Sequence, residues 1–320
     1  MSKVLSKEFL QRWAPLIVLF SLCIIVSIIN PNFLSVRNFA RLATSSAAPL
    51  MLAIGVTFII IMGSIDLSME GVMAFCGASL AVVMLQFNSF VEWGFLAIPV
   101  AIVFGVAIGF VNGLIHVKLK IPSFLVSLGI GFSCIGLTMV MTGGVRVSAS
   151  DKAFRLLLTE RFFGFPLMVY VAFAALLLAY FIQKKTALGR NLYAIGGGEE
   201  LAHASGVKVE RVRIIAFALA GAFYALGAMF AVAQIGSVAS NLGTGFMFVS
   251  ITSVVVGGTA LMGGIGGVWQ TLVGVLIVAV ISNGMVLVGL PTYIQEGVLG
   301  VLVILAVALA TNRKAIQLVK

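Results

Sequence analysis

Long apolar runs separated by short polar segments cover most of the chain. A bilayer core about 30 Å thick needs roughly 20 apolar residues per helix, at about 1.5 Å per residue. The spacing of the runs therefore predicts ten membrane-spanning helices. Their expected ranges are 13–29, 42–62, 67–86, 94–117, 121–142, 165–182, 214–235, 246–262, 268–289 and 293–311. A broken or re-entrant span is most plausible at the junction 62–67 and in the short segment 246–262.

The composition of the chain excludes a soluble enzyme. Of the 320 residues, 61% are hydrophobic and only 9% are charged, whereas a soluble domain carries about 25% charged residues to keep its surface wet. We therefore predict an all-α polytopic membrane protein, with residues 1–320 forming a single transmembrane domain. Cys23, Cys76 and Cys134 lie in apolar runs, which favours buried thiols over disulfides or metal ligands.

The distribution of basic residues predicts an orientation. With the N-terminus in the cytoplasm, fourteen of the 20 Lys and Arg residues lie inside and six outside, as the positive-inside rule expects. Both termini are then cytoplasmic, the polar loop 143–163 is periplasmic and the polar loop 183–213 is cytoplasmic. The net charge of +10 is attributed to these loops, because a nucleic-acid partner would require a basic patch on an exposed face.

A short internal repeat supports this layout. Asn112-Gly113 is followed by the segment 121–124 (IPSF), and Asn283-Gly284 is followed by 290–293 (LPTY). The two copies are five spans apart, and an odd offset inverts the direction through the membrane. Inverted repeats are typical of transport proteins. Asn112 and Asn283 are interpreted as groups that pack between helices, with contact to a polar solute as the alternative.

The inner polar loop contains a candidate docking element. Glu199 to Ser205 can form a short helix, with three glycines before it and Gly206 at its C-terminal end, where glycine commonly ends helices. An exposed short helix between two spans suits a cytoplasmic partner. The alternative interpretation is an ordinary solvated loop.

The chain shows no catalytic or cofactor-binding motif. No G-x-x-x-x-G-K-[ST] phosphate loop occurs in the sequence, so ATP hydrolysis by that route is excluded. His116 and His203 lie near cytoplasmic loops and form no metal pair or triad with buried groups. Energy for active transport would therefore have to come from an ion gradient or from another subunit, and we expect no cofactor and no metal.

Few ionisable residues lie within the predicted spans. Asp66, followed by Ser68 and Glu70, is interpreted as the cap of a helix beginning near Leu67, with a direct role toward an ion or solute as the alternative. This scarcity argues against coupling to an ion gradient. On another span, glycines at every fourth position form a stripe suited to close helix packing: Gly105, Gly109 and Gly113.

Four segments in order give the chain a family resemblance. They are GSIDLS at 63–68, IPSF at 121–124 with Leu128-Gly129, the stretch from Gly189-Arg190 to Val207, and VVVGGT at 254–259 with GGIGG at 263–267. Together they resemble the membrane permease subunit of bacterial ribose-type sugar ABC importers over nearly the whole chain. The chain departs from the family at Ser64 and Glu70, where the family commonly has glycine.

The resemblance implies an importer in the bacterial inner membrane that carries a monosaccharide. It implies a homodimer or heterodimer of permeases, cytoplasmic ATP-binding cassette ATPase subunits and a periplasmic sugar-binding protein. It also implies that the cytoplasmic loop couples to the ATPase through Gly196, Gly197, Glu199, Glu200, His203 and Gly206. Other solutes of the same superfamily, an ion-coupled transporter and a channel or structural subunit remain the alternatives.

Overall fold

The chain is mostly helical in the computed structural model. The structure describes residues 7–87, 91, 93–291, 293–295, 297, 298, 300–302 and 304. The helices are α1 Lys7–Ile29, α2 Val36–Ile61, α3 Met69–Gln86, α4 Ala97–Leu119, α5 Ser123–Thr142, α6 Leu156–Thr159, α7 Leu167–Lys185, α8 Ala187–Gly197, α9 Glu199–Ala204, α10 Val209–Ile235, α11 Phe246–Val256 and α12 Val268–Leu287. Two short 3₁₀ helices occupy Pro31–Leu34 and Gly94–Leu96.

Within the described ranges, the strands are four pairs of residues: β1 Val147–Ser148, β2 Arg161–Phe162, β3 Phe165–Pro166 and β4 Ser237–Val238. β1 pairs with β4, and β2 pairs with β3, both antiparallel. We call the end of the bundle that carries these strands the outer end. The end that carries α8 and α9 is called the inner end. Both names follow the orientation that the basic residues predict.

Seven helices in the described part of the chain are long and apolar enough to cross a membrane. They correspond to seven of the ten predicted spans. The first predicted span is helical, but its apolar portion is shorter, Trp13–Ile29. The described residues from 293 onward are helical, while most of the predicted span 293–311 lies outside the described residues. The total of ten stays a prediction.

The predicted span 246–262 is broken, which is the alternative that the sequence left open, and it is not a continuous helix. α11 ends at Val256, and 11 residues rise only about 16 Å, half of a bilayer core. Turns follow, and four of the next glycines have positive φ: Gly258, Gly263, Gly264 and Gly266. Glycine adopts that region without a steric penalty, so this local sequence favours a loop where hydropathy alone favours a helix.

α2, α3 and α10 form the centre of the bundle. Of its most apolar 18-residue window, α2 buries 83%, whereas α4, α5 and α7 each bury 28%. The outer helices carry large exposed apolar side chains, among them Phe132 and Val140 on α5. Such a surface is stable only against hydrocarbon or against another protein. These helices therefore form the periphery.

α4 packs against α10 along the glycine stripe that the sequence predicts. A Cβ at Gly105 would overlap the carbonyl oxygen of Gly221, and a Cβ at Gly109 would overlap that of Phe217. Only residues without a side chain allow the two backbones to come this close. The predicted packing role of the stripe is confirmed.

Candidate coupling and transport site

The predicted short helix in the inner loop is present as α9. Its end is fixed by Gly206, which has φ +85° and donates its N–H to the carbonyl of His203 at 2.9 Å. The N–H of Val207 then bonds the carbonyl of Ala202 at 3.1 Å. This pair of bonds is a Schellman motif, which requires a left-handed residue at the position of Gly206. The sequence prediction of a helix ending there is confirmed.

One face of α9 is tied to the bundle and the other is exposed. Glu199 accepts two hydrogen bonds from the Arg213 guanidinium of α10, at 2.9 and 2.6 Å. Glu200, Leu201 and His203 are exposed, and the exposed fraction of Leu201 reaches 75%. Both acids that the sequence groups together are exposed, but only Glu199 pairs with a cation in the described part of the chain.

α8 is wedged between three other parts of the inner end. A Cβ at Gly189 would overlap the backbone of Gln183 at the end of α7. A Cβ at Gly196 would overlap the Ile61 carbonyl oxygen at the end of α2 and the amide of Gly264. Gly264 itself donates to Ile61 O at 2.8 Å. α8 therefore cannot shift without moving α2, α7 and the loop before α12.

A polar network that sequence reasoning missed strengthens this wedge. Gln183, 3% exposed, donates from Nε2 to the Tyr193 hydroxyl and accepts from the amide of Val268 at 2.9 Å. Tyr193 donates to the Gly266 carbonyl at 2.5 Å. Burial raises the pKa of the Tyr193 phenol, so it stays a donor. In the sequence, the signal for this network is a glutamine, Gln183, at the end of an apolar span.

A broad groove lies beside α9 at the inner end. Its volume is about 1530 Å³, and it lies between the end of α4, α9 and the start of α10. Its lining carries both signs of charge, including Lys120, Glu200 and Arg211. Lys118 and Glu210 join α4 to α10 through a 3.0 Å salt bridge at its edge. A protein partner with mixed charge could fit such a surface.

Asp66 lies in a buried polar cluster and does not cap a helix at Leu67. α3 begins at Met69 with Ser68 as the residue before it, so Asp66 is two positions too early to cap it. Its Oδ1 accepts from the amide of Ser68 at 2.8 Å and from the Ser68 hydroxyl at 2.6 Å. Its Oδ2 accepts from the Tyr224 hydroxyl at 3.1 Å. The side-chain amide of Asn112 donates to the Ser68 hydroxyl at 3.4 Å.

The non-helical segment around Asp66 is held by side chains of α5. The amide of Ile65 donates to Ser123 Oγ at 3.1 Å, and the amide of Leu67 donates to Ser127 Oγ at 2.9 Å. Backbone groups outside a helix need such partners where water is excluded. The two serines therefore let α3 begin inside the bundle.

The fourth predicted polar residue, Asn283, lies elsewhere. Its side chain exchanges two hydrogen bonds with Asn38, at 2.9 and 3.0 Å, and joins α12 to α2. The structure thus brings Asp66, Ser68 and Asn112 together and leaves Asn283 apart. The two copies of the repeat have different surroundings, and the inverted repeat stays a prediction.

Three arginines line a groove at the outer end. The groove has a volume of about 350 Å³, and Arg37, Arg41 and Arg161 lie around it with Thr44 and Gln234. None of these arginines forms a salt bridge with another described residue. Unpaired cations around a concave surface attract carboxylates, whose geometry arginine matches well.

Comparison with known proteins decides the family. A family described as "Branched-chain amino acid transport system / permease component" matches residues 38–307. The chain belongs to this family. It is accordingly a permease component of the multi-pass, inner-membrane type, and not itself a catalytic subunit.

Curated relatives cover almost the whole chain. The ribose import permease protein RbsC of Haemophilus influenzae is 34% identical over 95% of this chain and 94% of its own length. The protein of the same name from Bacillus subtilis is 34% identical over 96% and 94%. The galactose/methyl galactoside import permease protein MglC of Haemophilus influenzae is 34% identical over 97% of each chain.

Proposed function

We propose that this chain is the permease subunit of an ATP-binding cassette importer that carries a monosaccharide, a ribose-like pentose or a hexose. The names of its ribose and galactose/methyl galactoside relatives support a sugar as the solute. The observation that carries the proposal is the exposed helix α9, held at the inner end by α8. A separate ATPase subunit supplies the energy, and a periplasmic binding protein delivers the sugar.

The coupling step follows from how α8 and α9 are held. The ATPase contacts the exposed side of α9, at Glu200, Leu201 and His203, with Gly197 and Gly206 exposed beside it. Closure of the ATPase moves α9, and α8 moves with it because only Gly198 separates the two helices in the chain. Since α8 is wedged against α2, α7 and the loop before α12, these helices move as rigid bodies. The solute pathway, first open to the outer side, then opens to the inner side.

The outer arginine groove is the proposed contact for the binding protein. Carboxylates on that protein would pair with Arg37, Arg41 and Arg161 around the groove. A second permease copy completes the transporter. In this arrangement residues 1–320 form one domain with both termini in the cytoplasm, the loop 183–213 cytoplasmic and the loop 143–163 periplasmic.

Uptake into proteoliposomes tests the function. The chain is reconstituted with its cognate ATPase and binding protein, and uptake of labelled ribose and galactose is measured with ATP. We expect saturable uptake that needs ATP and survives ionophores that collapse proton and sodium gradients. Uptake lost with the gradients would instead show a secondary transporter. Uptake of an amino acid or nucleoside, but of neither sugar, would assign another solute of the superfamily.

Thiol labelling tests the orientation independently. Gly197 is exposed, and a Cβ there meets nothing within 4 Å, so Gly197→Cys is tolerated. We expect this cysteine to react with an impermeant maleimide only after cells are opened. Reaction in intact cells would place α9 outside and refute the coupling scheme.

A further inference from the structure

Glu70 joins the two helices that begin inside the bundle. It lies in the first turn of α3, and its Oε1 accepts hydrogen bonds from the amides of Gly245 and Met247 at the start of α11, at 2.9 and 3.0 Å. A Cβ at Gly243 would overlap the Glu70 backbone. The segments leading into α3 and α11 are both non-helical. Two discontinuous helices therefore meet at this carboxylate.

This meeting point lies near the middle of the bundle. Gly77 of α3 packs beside Val232 of α10, where a Cβ would be 3.2 Å from Val232 Cγ2. α10 ends at Ile235, so Gly77 is near the outer end. Glu70 is seven residues earlier on α3, hence about 10 Å deeper at 1.5 Å per residue. With the three residues from Val232 to Ile235 added, Glu70 lies about 15 Å from the outer end of α10, within the middle third of a helix about 40 Å long.

The surface at this depth is polar and partly exposed. Glu70 is half-buried, whereas Asn241, Thr244 and Gly245 are exposed. Neither Glu70 Oε2 nor the side chains of Asn241 and Thr244 hydrogen-bond to any residue that the structure describes. Hydrocarbon penalises open polar groups by several kcal/mol each. Ionisable residues within membrane proteins almost always face the interior or a water-filled cavity.

We propose that Glu70, Asn241 and Thr244 line the route of the solute, and that the Glu70 carboxylate makes this route selective against anions. The proposal rests on the proposed function as a transporter, and it adds the residues along the path. Glu70 Oε2 accepts hydrogen bonds from hydroxyls of a neutral, polyhydroxylated solute, and the Asn241 amide and Thr244 hydroxyl supply donors and acceptors beside it. The amides at the start of α11 would otherwise attract an anion, but two of them already donate to Glu70 Oε1.

Charge-selective thiol labelling tests the route without ATP or sugar. Thr244→Cys and Asn241→Cys are made separately in a Cys23→Ser background, in which Cys76 and Cys134 remain as buried thiols. The assembled transporter in nanodiscs is treated with methanethiosulfonates carrying either a trimethylammonium or a sulfonate group. Phe132→Cys is the control, because Phe132 is 67% exposed in the middle of α5, an apolar, peripheral helix.

Each rate is divided by the rate of the same reagent with a small thiol in solution. We expect both route cysteines to react, and the normalised rate of the cationic reagent to be higher by about tenfold, since one sign of charge concentrates counter-ions in a cleft. Adding Glu70→Gln, which retains an Oε1 acceptor for α11, should bring the ratio of the two rates close to one. The control cysteine should react with neither reagent.

Two results would overturn the proposal. Route cysteines as unreactive as Phe132→Cys would place this surface against lipid or protein. A rate ratio unchanged by Glu70→Gln would remove the carboxylate as its cause. Because the labelling needs no energy source, these failures are distinct from a failure of ATP-driven uptake, which would refute the importer function and leave the route in place.

Discussion

Substitution of Gly196 by alanine tests whether α8 is mechanically joined to the bundle. A Cβ at Gly196 would overlap two backbone atoms, the Ile61 carbonyl oxygen and the Gly264 amide nitrogen, neither of which can rotate away. Restoring ordinary contact requires these backbones to separate by about 1.5 Å. That movement breaks the 2.8 Å hydrogen bond from Gly264 to Ile61.

The expected loss of stability follows from three contributions. Overpacking against backbone destabilises by about 1–3 kcal/mol, and loss of the hydrogen bond adds about 1 kcal/mol. The higher helix propensity of alanine offsets about 1 kcal/mol. The net destabilisation is therefore about 1–3 kcal/mol. The surface of α9 is unchanged, so the ATPase should still bind while less solute is moved per ATP hydrolysed.

Gly197→Ala is the matched control. Gly197 is the next residue of the same helix, and a Cβ there meets nothing within 4 Å, so only the helix-propensity gain remains. Thermal unfolding of the purified complex and the ratio of uptake to ATP hydrolysis are measured for both variants. If Gly196→Ala matches Gly197→Ala in both measurements, α8 is not seated against α2 and the coupling path described above is wrong.

Three further substitutions test the inner end. Glu200→Lys should reduce co-purification of the ATPase without changing membrane insertion. Glu160→Lys changes an acid that is also exposed, but at the outer end, and should leave co-purification unchanged. Equal effects of the two variants would refute α9 as the docking surface. Glu199→Arg should lower uptake by releasing α9. Adding Arg213→Glu to the same chain should restore part of this uptake. Absence of rescue would mean that the ion pair between these positions does not position α9. Tyr193→Phe should destabilise the folded protein by about 1–3 kcal/mol, because it leaves the buried partners of the Tyr193 hydroxyl unpaired. An unchanged unfolding midpoint would show that this network does not hold the loop before α12.

The sequence was sufficient wherever the decisive physics is local. Hydropathy over windows of about 20 residues located the seven long apolar helices. The left-handed conformation that Gly206 adopts without strain marked the end of α9. The glycines at every fourth position of α4, such as Gly109, identified a packing face because helical periodicity places them on one side. Each of these features depends on neighbours within a few turns of the chain.

Hydropathy was not sufficient for the discontinuous helices. α11 is shorter than its apolar run because the following glycines turn the chain, and α3 begins inside the bundle because Ser123 and Ser127 satisfy its preceding backbone. The sequence grouped Glu199 with Glu200 as one acidic docking element. Only the position of Arg213 on another helix distinguishes Glu199, which is ion-paired, from Glu200, which has no ion-pair partner among the described residues.

The sequence by itself determined a mostly helical membrane protein and indicated the short helix that ends at Gly206. Only the tertiary structure decided which polar groups meet: Asp66 with Tyr224, Asn283 with Asn38, and Glu70 with the start of α11. Hydropathy and turn preferences act between near neighbours, whereas these pairs are far apart in the chain. Their hydrogen bonds exist only after packed helices exclude water and set the depth at which each side chain lies.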